Sequence, residues 1–309
     1  MIEFILYTLA RAIIGTLQKL PLRCVAFLGR AGGGLVYFAD ARHRRVATQN
    51  LARAFPEKTP VEARLLAREN FRRIGENFAC AVRTAAMKPE EITAIVSVVG
   101  AEKLRARLRE GRPESIVFAI GHFGNFELFA HCGQFLPEYK IATTYRGVRQ
   151  ASLNRLLQSL RQKSGCLFFE RRTDGEALRN AMNAGNLALG LLADQRGRGL
   201  DLPFFGRPCS TSPAVALFAL RYDAPIYPAI CFRVAAGRWE IHVGDEIPTH
   251  ENSHPRTSEA IMIDVNRAFE SAVRRDPANW FWVHNRWKAV DNRKTKNLRP
   301  SPLPAESDA

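Results

Sequence analysis

The chain reads as a single-domain α/β sandwich: a mainly parallel, partly mixed sheet flanked by helices and preceded by membrane-associated helices. Three observations predict this. Short apolar, β-prone runs alternate with helix-patterned segments between residues 115 and 192. Two further strand-like runs follow, Pro225–Arg233 and Arg238–Val243, joined through Ala-Ala-Gly as in a closing hairpin. The first 39 residues are apolar and helical in pattern.

In chain order, residues 2–20 set Ile2, Ile5, Leu6, Leu9, Ile13, Leu17 and Leu20 at amphipathic spacing. Arg11 interrupts the run, so no uncharged 18-residue span exists there, and Met-Ile-Glu lacks the basic start of a secretory signal. A second apolar block, 24–39, holds only Arg30 as a charge and carries Gly32-Gly33-Gly34. Both blocks are expected to lie in or against a membrane interface as a hairpin, with a pair of core helices as the alternative. Residues 1–50 carry a net +5, seven Lys/Arg against Glu3 and Asp40, which suits an anionic leaflet. The expected division is 1–40 membrane helices, 41–292 the α/β domain, and 293–309 a disordered polar tail with three prolines.

From Arg44 to Met87 the pattern is helical, broken by the turn Pro56–Pro60. A short helix at 101–110 ends at Gly111-Arg112-Pro113. Ser115–Ile120 is a buried strand. Lys140–Tyr145 is a second, followed by a helix with Leu153, Leu156, Leu157 and Leu160 on one face. Cys166–Phe169 and Asn186–Leu192 are further strands around a Glu176–Ala184 helix. Ser210 or Ser212 is placed to cap a helix at Pro213–Leu220, and a last helix spans about Ser258–Arg274.

Chemistry concentrates at Gly121-His122-Phe123-Gly124-Asn125-Phe126-Glu127, directly after the first strand. His122 is expected at a strand's carboxyl end, the edge where open α/β sheets place ligands, with Asn125 capping the next helix. A histidine there can take a proton from a hydroxyl near neutral pH, and a carboxylate on its other nitrogen fixes the tautomer. Glu127 is the expected partner, brought round by the turn at Gly121 and Gly124. The alternative is a strand-end histidine beside a glutamate held by the helix dipole. Arg146 and Asp194 each end a strand on the same edge. Asp194 can accept from Arg146, sit near His122 and raise its basicity, or act as a structural cap.

His122-x4-Glu127 resembles the H-x4-D/E motif of the lysophospholipid acyltransferase superfamily. It is most similar to the lipid A biosynthesis branch, the late, lauroyl/myristoyl-type acyltransferases that add secondary acyl chains. The resemblance continues at Tyr145-Arg146, Ala193-Asp194-Gln195, Pro203–Pro208 with Ser210-Thr211, and Trp282–Lys288, spanning roughly residues 1–290. It implies a glycerol-3-phosphate acyltransferase-like fold and an acyltransferase activity with no cofactor. His122 and Glu127 are then the catalytic pair, and Arg146 holds a phosphate or acidic headgroup through its guanidinium fork. Asp194 takes a site role and Gln195 orients the acceptor. With Gly124, Asn125 and Arg171, these complete the expected substrate-binding set. The resemblance further implies acyl carrier protein, or acyl-CoA, as donor. It implies a lipid A precursor or related glycolipid as acceptor, at the cytoplasmic face of a Gram-negative inner membrane.

Composition limits the alternatives. The 309 residues carry 45 Lys+Arg against 30 Asp+Glu, a net +15, so anionic partners are favoured. Residues 141–172 hold seven Lys/Arg against Glu170 alone, and 271–299 hold eight against Asp276 and Asp291. A nucleic-acid- or membrane-binding protein without catalysis is compatible with charge alone, but no nucleic-acid motif is present. The Trp280, Trp282, Trp287, His284, Arg286 and Lys288 cluster can face lipid headgroups, bases, or the core. The six cysteines lie far apart without a C-x-x-C pair and read as separate buried thiols. No metal-ligand spacing and no G-x-S-x-G elbow occur, which favours direct attack by an acceptor hydroxyl over an acyl-enzyme.

Overall fold

The computed structural model describes residues 2–105, 114–148 and 150–288. The expected helix end at 111–113 and the expected disordered tail from 293 lie outside the described residues.

Four helices open the chain: α1 (Ile2–Lys19), α2 (Leu22–Ala39), α3 (Ala41–Ala54) and α4 (Pro60–Thr84). Asp40 starts α3 by accepting from the His43 N–H. A capping box between Thr59 and Glu62, with Pro60 in the first turn, starts α4. The pairing of α2 with α4 rests on glycine. A Cβ on Gly33 would collide with the Phe71 carbonyl, and one on Gly75 with the Gly29 carbonyl, so these helices meet backbone to backbone. Charge then locks the pair. Glu76 is fully buried and takes Arg30 Nη1 at 3.2 Å, Arg233 Nε at 2.8 Å and the Gly237 N–H at 3.2 Å. Arg30 also reaches Glu69, and Arg73 bridges Glu69 to Asp276. One ionic chain therefore ties α2 and α4 to the later strands and to the C-terminal segment.

The short helix α5 (Pro89–Thr93), strand β1 (Val96–Val99) and helix α6 (Ala101–Arg105) lead to β2 (Ile116–Ile120). A nine-residue 3-10 helix, Phe126–Gln134, follows, then β3 (Lys140–Tyr145), α7 (Ala151–Arg161), β4 (Leu167–Glu170), α8 (Gly175–Asn183) and β5 (Leu187–Leu192). Strands β6 (Leu200–Phe204) and β7 (Arg207–Thr211) form a separate hairpin before α9 (Ala214–Tyr222). Then come β8 (Ile226–Ala235), β9 (Arg238–Val243), the two-residue strands β10 (His250–Glu251) and β11 (His254–Pro255), and α10 (Ser258–Arg275). A strap of residues 276–288 closes the described chain.

Seven strands form one sheet in the order β1-β9-β8-β2-β5-β3-β4, parallel throughout except for the antiparallel β8–β9 pair. β2 is wholly buried at the centre, as its unbroken apolar run requires. Val117 and Ala119 face a core built with α3, α4, α9 and α10. Ile116, Phe118 and Ile120 face a second core with α2, α5 and the 3-10 helix. The result is the expected α/β sandwich with a mainly parallel sheet. The β6–β7 hairpin occupies the Pro203–Pro208 stretch, and Ser212, not Ser210, accepts from the first-turn Ala214 N–H.

Of the three settings open to the Trp-rich cluster, the structure selects the core, because Trp280, Trp282 and Arg286 are each at most 1% exposed, out of reach of bases or headgroups. The expectation of six buried thiols needs correction. Five cysteines are buried but Cys24 is exposed. The N-terminal helices are unusual in the opposite way. Phe4, Ile5, Leu9 and Ile13 on α1, and Phe27, Leu35 and Phe38 on α2, remain exposed, Phe4 and Leu35 at 72%. Only Leu17 and Leu20, at the C-terminal end of the first block, pack on the core. No helix among the described residues is long and apolar enough to cross a membrane.

Replacing Glu76 by Ala would leave Arg30 and Arg233 facing an empty interior site. Removing one partner of a buried ion cluster typically costs ~3–5 kcal/mol. Chemical denaturation of Glu76→Ala should show a loss of that order, against little change for the exposed Glu57→Ala.

Candidate active site

Parallel register builds the centre of the site. Ile120 of β2 pairs with Leu192 of β5, so two residues further on, at the carboxyl ends of both strands, His122 lies beside Asp194. Asp194 Oδ1 sits 2.8 Å from His122 Nδ1, and Oδ2 accepts the His122 backbone N–H at 2.8 Å. The Trp280 indole N–H donates to the same Oδ2 at 2.7 Å. The Asp194 side chain is completely buried. Burial pushes its pKa up, but the charge on His122 and these three hydrogen bonds outweigh that and bring it down to about 2. It is therefore a carboxylate that only accepts. Nδ1 must carry the proton, which leaves Nε2 with its lone pair. Phe126 and Phe281 wall the imidazole at ring distances of 4.8 and 5.9 Å.

Glu127 does not hold His122, contrary to the expectation from the motif's spacing. Its carboxylate takes the Arg161 guanidinium, at 2.7 Å from Nη2 and 3.4 Å from Nε. The reason is the turn: Gly124 (φ +52°) sends the chain into a 3-10 helix, and Glu127 emerges in its first turn facing α7. Arg161 in turn lies over the Tyr145 and Phe168 rings. Asp194 does not accept from Arg146, since its oxygens are already shared between His122 and Trp280. Nor does Asn125 cap the helix. Its ψ of 72° is outside the extended range an N-cap needs, and both polar atoms of its buried carboxamide lack a partner. The Gly124 N–H is used by the Asn279 carbonyl at 3.1 Å.

His122 opens into a cleft of about 1270 Å³, above the range of ordinary small-ligand pockets. Glu127, Arg146, Gln195 and Arg171 line it too. Gly124 and Asn125 border a hollow of about 20 Å³ beside His122 instead, and Asp194 lies behind the imidazole. Leu157, Leu160, Phe168, Leu178, Leu217 and Phe218 make much of the cleft apolar. Arg146, Arg179, Arg196 and Arg221 add cationic groups that make no ion pair among the described residues, and Arg171 donates to Thr144 Oγ1 at 3.2 Å. A large apolar trough rimmed by guanidinium groups suits a ligand with a long hydrocarbon part and an anionic part. No cluster of metal-binding side chains occurs among the described residues. Cys132 and Cys166 offer no nucleophile, since burial pushes their thiols up to about 12.

The sequence model of the bacterial lipid A biosynthesis acyltransferases matches residues 2–289. The chain belongs to that family. No curated protein matches it significantly. Membership makes this an acyltransferase of the lipid A type, and the cleft of this family member has the mixed apolar and cationic character such a substrate needs.

Sequence reasoning missed three contributors. Trp280 was legible only as part of an aromatic-basic cluster, and Arg161 only as one member of a basic run. His284 is the third. Its Nε2 accepts the Arg196 N–H at 2.9 Å, and burial drives its pKa down to about 4.

Two outcomes follow. Asp194→Asn presents an amide to Nδ1, permits the wrong tautomer and should lower kcat by ~10³–10⁴ in a steady-state acyl-transfer assay. His284 stays neutral in the fold while the unfolded chain protonates it at about 6.5. Its folded pKa is lowered, so stability should fall as pH drops from about 6.5 to about 4 and level off below. Melting curves of His284→Gln should lose less stability over that window than wild type.

Proposed function

We propose that the protein transfers a fatty acyl chain from an acyl carrier protein thioester to a hydroxyl of a lipid A precursor, with His122 as general base. The observation that carries this is the buried Asp194 carboxylate on Nδ1, which holds Nε2 as an acceptor at the mouth of an apolar, arginine-rimmed cleft. Nε2 takes the hydroxyl proton as the oxygen attacks the thioester carbonyl. The tetrahedral intermediate then expels the thiolate, which recovers that proton from the imidazolium. Asp194 stabilises the imidazolium in between. The Phe126 and Glu127 N–H groups precede the first bond of the 3-10 helix, Leu128 N to Asn125 O at 3.0 Å, and suit the oxyanion.

Arg146 and Arg171, at the carboxyl ends of β3 and β4, are assigned to the anionic part of the acceptor, and Gln195 to its polar groups. Glu127 acts through Arg161, holding α7 against the cleft. The exposed apolar faces of α1 and α2 support attachment to a membrane, on the cytoplasmic side of the inner membrane of a Gram-negative bacterium, where the net +15 favours both anionic lipid and an acidic carrier.

The test is mass spectrometry of lipids from cells lacking the gene, complemented with wild type or His122→Ala. Lipid A short of one acyl chain, restored by wild type alone, is expected. The purified variant should stay folded and lose ~10²–10⁴-fold in rate. A folded His122→Ala enzyme with near-full activity removes the base assignment. An unchanged lipid A with a shift in another glycolipid or lysophospholipid moves the acceptor and favours acyl-CoA as donor.

A further inference from the structure

The residues that reach Asp194 from behind come from the strap. Its backbone is held by two buried amides: Asn70 Nδ2 donates to the Ala278 and Trp280 carbonyls, and Asn50 Nδ2 to those of Trp282 and His284. So anchored, the strap engages three successive residues of the loop after β5. The Trp280 indole N–H reaches Asp194 Oδ2 at 2.7 Å, Arg286 Nη1 reaches the Gln195 carbonyl at 3.0 Å, and His284 Nε2 accepts the Arg196 N–H at 2.9 Å. Arg286 is itself buried and also donates to the Ser210 carbonyl and Thr211 Oγ1, which fixes the loop against the β6–β7 hairpin.

We propose that Trp280 is a positioning residue of the His122–Asp194 pair: its indole N–H, delivered by the strap, fixes the Asp194 carboxylate and takes up part of its charge. This rests on the assignment of His122 as base. The carboxylate is held at Oδ2 by two donors, the His122 and Trp280 N–H groups, so only Oδ1 faces Nδ1. A donor at Oδ2 also draws charge from the carboxylate, so it tempers the stabilisation of the imidazolium.

Few other charges face the pair. Glu127, from the 3-10 helix, is matched by Arg161. His284 and Arg286 come from the strap, and Arg196 from the loop after β5. From α4 come only the uncharged Ile74, Asn77, Phe78 and Ala81.

The experiment replaces Trp280 by benzothienylalanine, which has sulfur in place of the indole N–H and nearly the same shape, alongside Trp280→Phe. The pKa of His122 is read by NMR titration of its imidazole signal, identified by its loss in His122→Ala, and kcat and KM are measured over pH. The isosteric variant should raise the His122 pKa, shifting the acidic limb of kcat/KM upward by about half a unit. At its plateau, kcat should fall roughly tenfold with KM unchanged, because a carboxylate no longer fixed at Oδ2 holds the Nδ1–H tautomer and ring orientation less strictly. An isosteric variant with wild-type His122 pKa and kcat overturns the proposal, even if Trp280→Phe unfolds the protein. If His122→Ala keeps turning over, the base assignment fails, and the titration still decides whether Trp280 acts on the pair.

Discussion

A carboxylate buried without solvent is the constraint on which the site depends. Asp194 is tolerable in the interior only because every direction it faces offers a donor or the imidazole. The carboxylate and its donors come from three distant parts of the chain: the turn after β2, the loop after β5, and the strap. The parallel β2–β5 register brings the first two together, and the third arrives because α3 and α4 supply amides for the strap's carbonyls. The fold thus satisfies the buried charge and aims the histidine with the same contacts.

The same arrangement explains why Glu127 is free for another task. With Nδ1 already occupied, a second carboxylate on the imidazole would add repulsion between acids. Pairing it with Arg161 instead neutralises both groups at the cleft wall and ties the amphipathic α7, which has no buried residue of its own, to the 3-10 helix. The cleft then carries an excess of guanidinium groups around an apolar trough. That combination discriminates for ligands with both a hydrocarbon chain and an anionic group.

The N-terminal helices carry two faces with different physics. One is packed backbone to backbone through Gly33 and Gly75 and locked by the Glu76 ion cluster. The other leaves large apolar side chains uncovered on α1 and α2. Close glycine packing and buried ion pairs hold α2 to α4, so its outer face does not have to contribute to the core.

Much of this was legible in residue order. Local pattern alone placed β2, β3, β5, the β8–β9 hairpin and nearly every helix, because apolar runs and turn residues act over a few positions. Strand ends likewise marked His122, Arg146 and Asp194 as neighbours on one edge, since a parallel sheet carries its strands' carboxyl ends together. What only tertiary structure decided was pairing. Spacing in the H-x4-E motif pointed to Glu127 as the partner of His122, yet a positive φ at Gly124 and a 3-10 turn direct it to Arg161, 34 residues away in sequence. Trp280 reaches Asp194 across 86 residues, and Arg286 is buried although it is charged. No local periodicity records such contacts, because they are set by sheet register and by which backbone groups are left to satisfy in the interior.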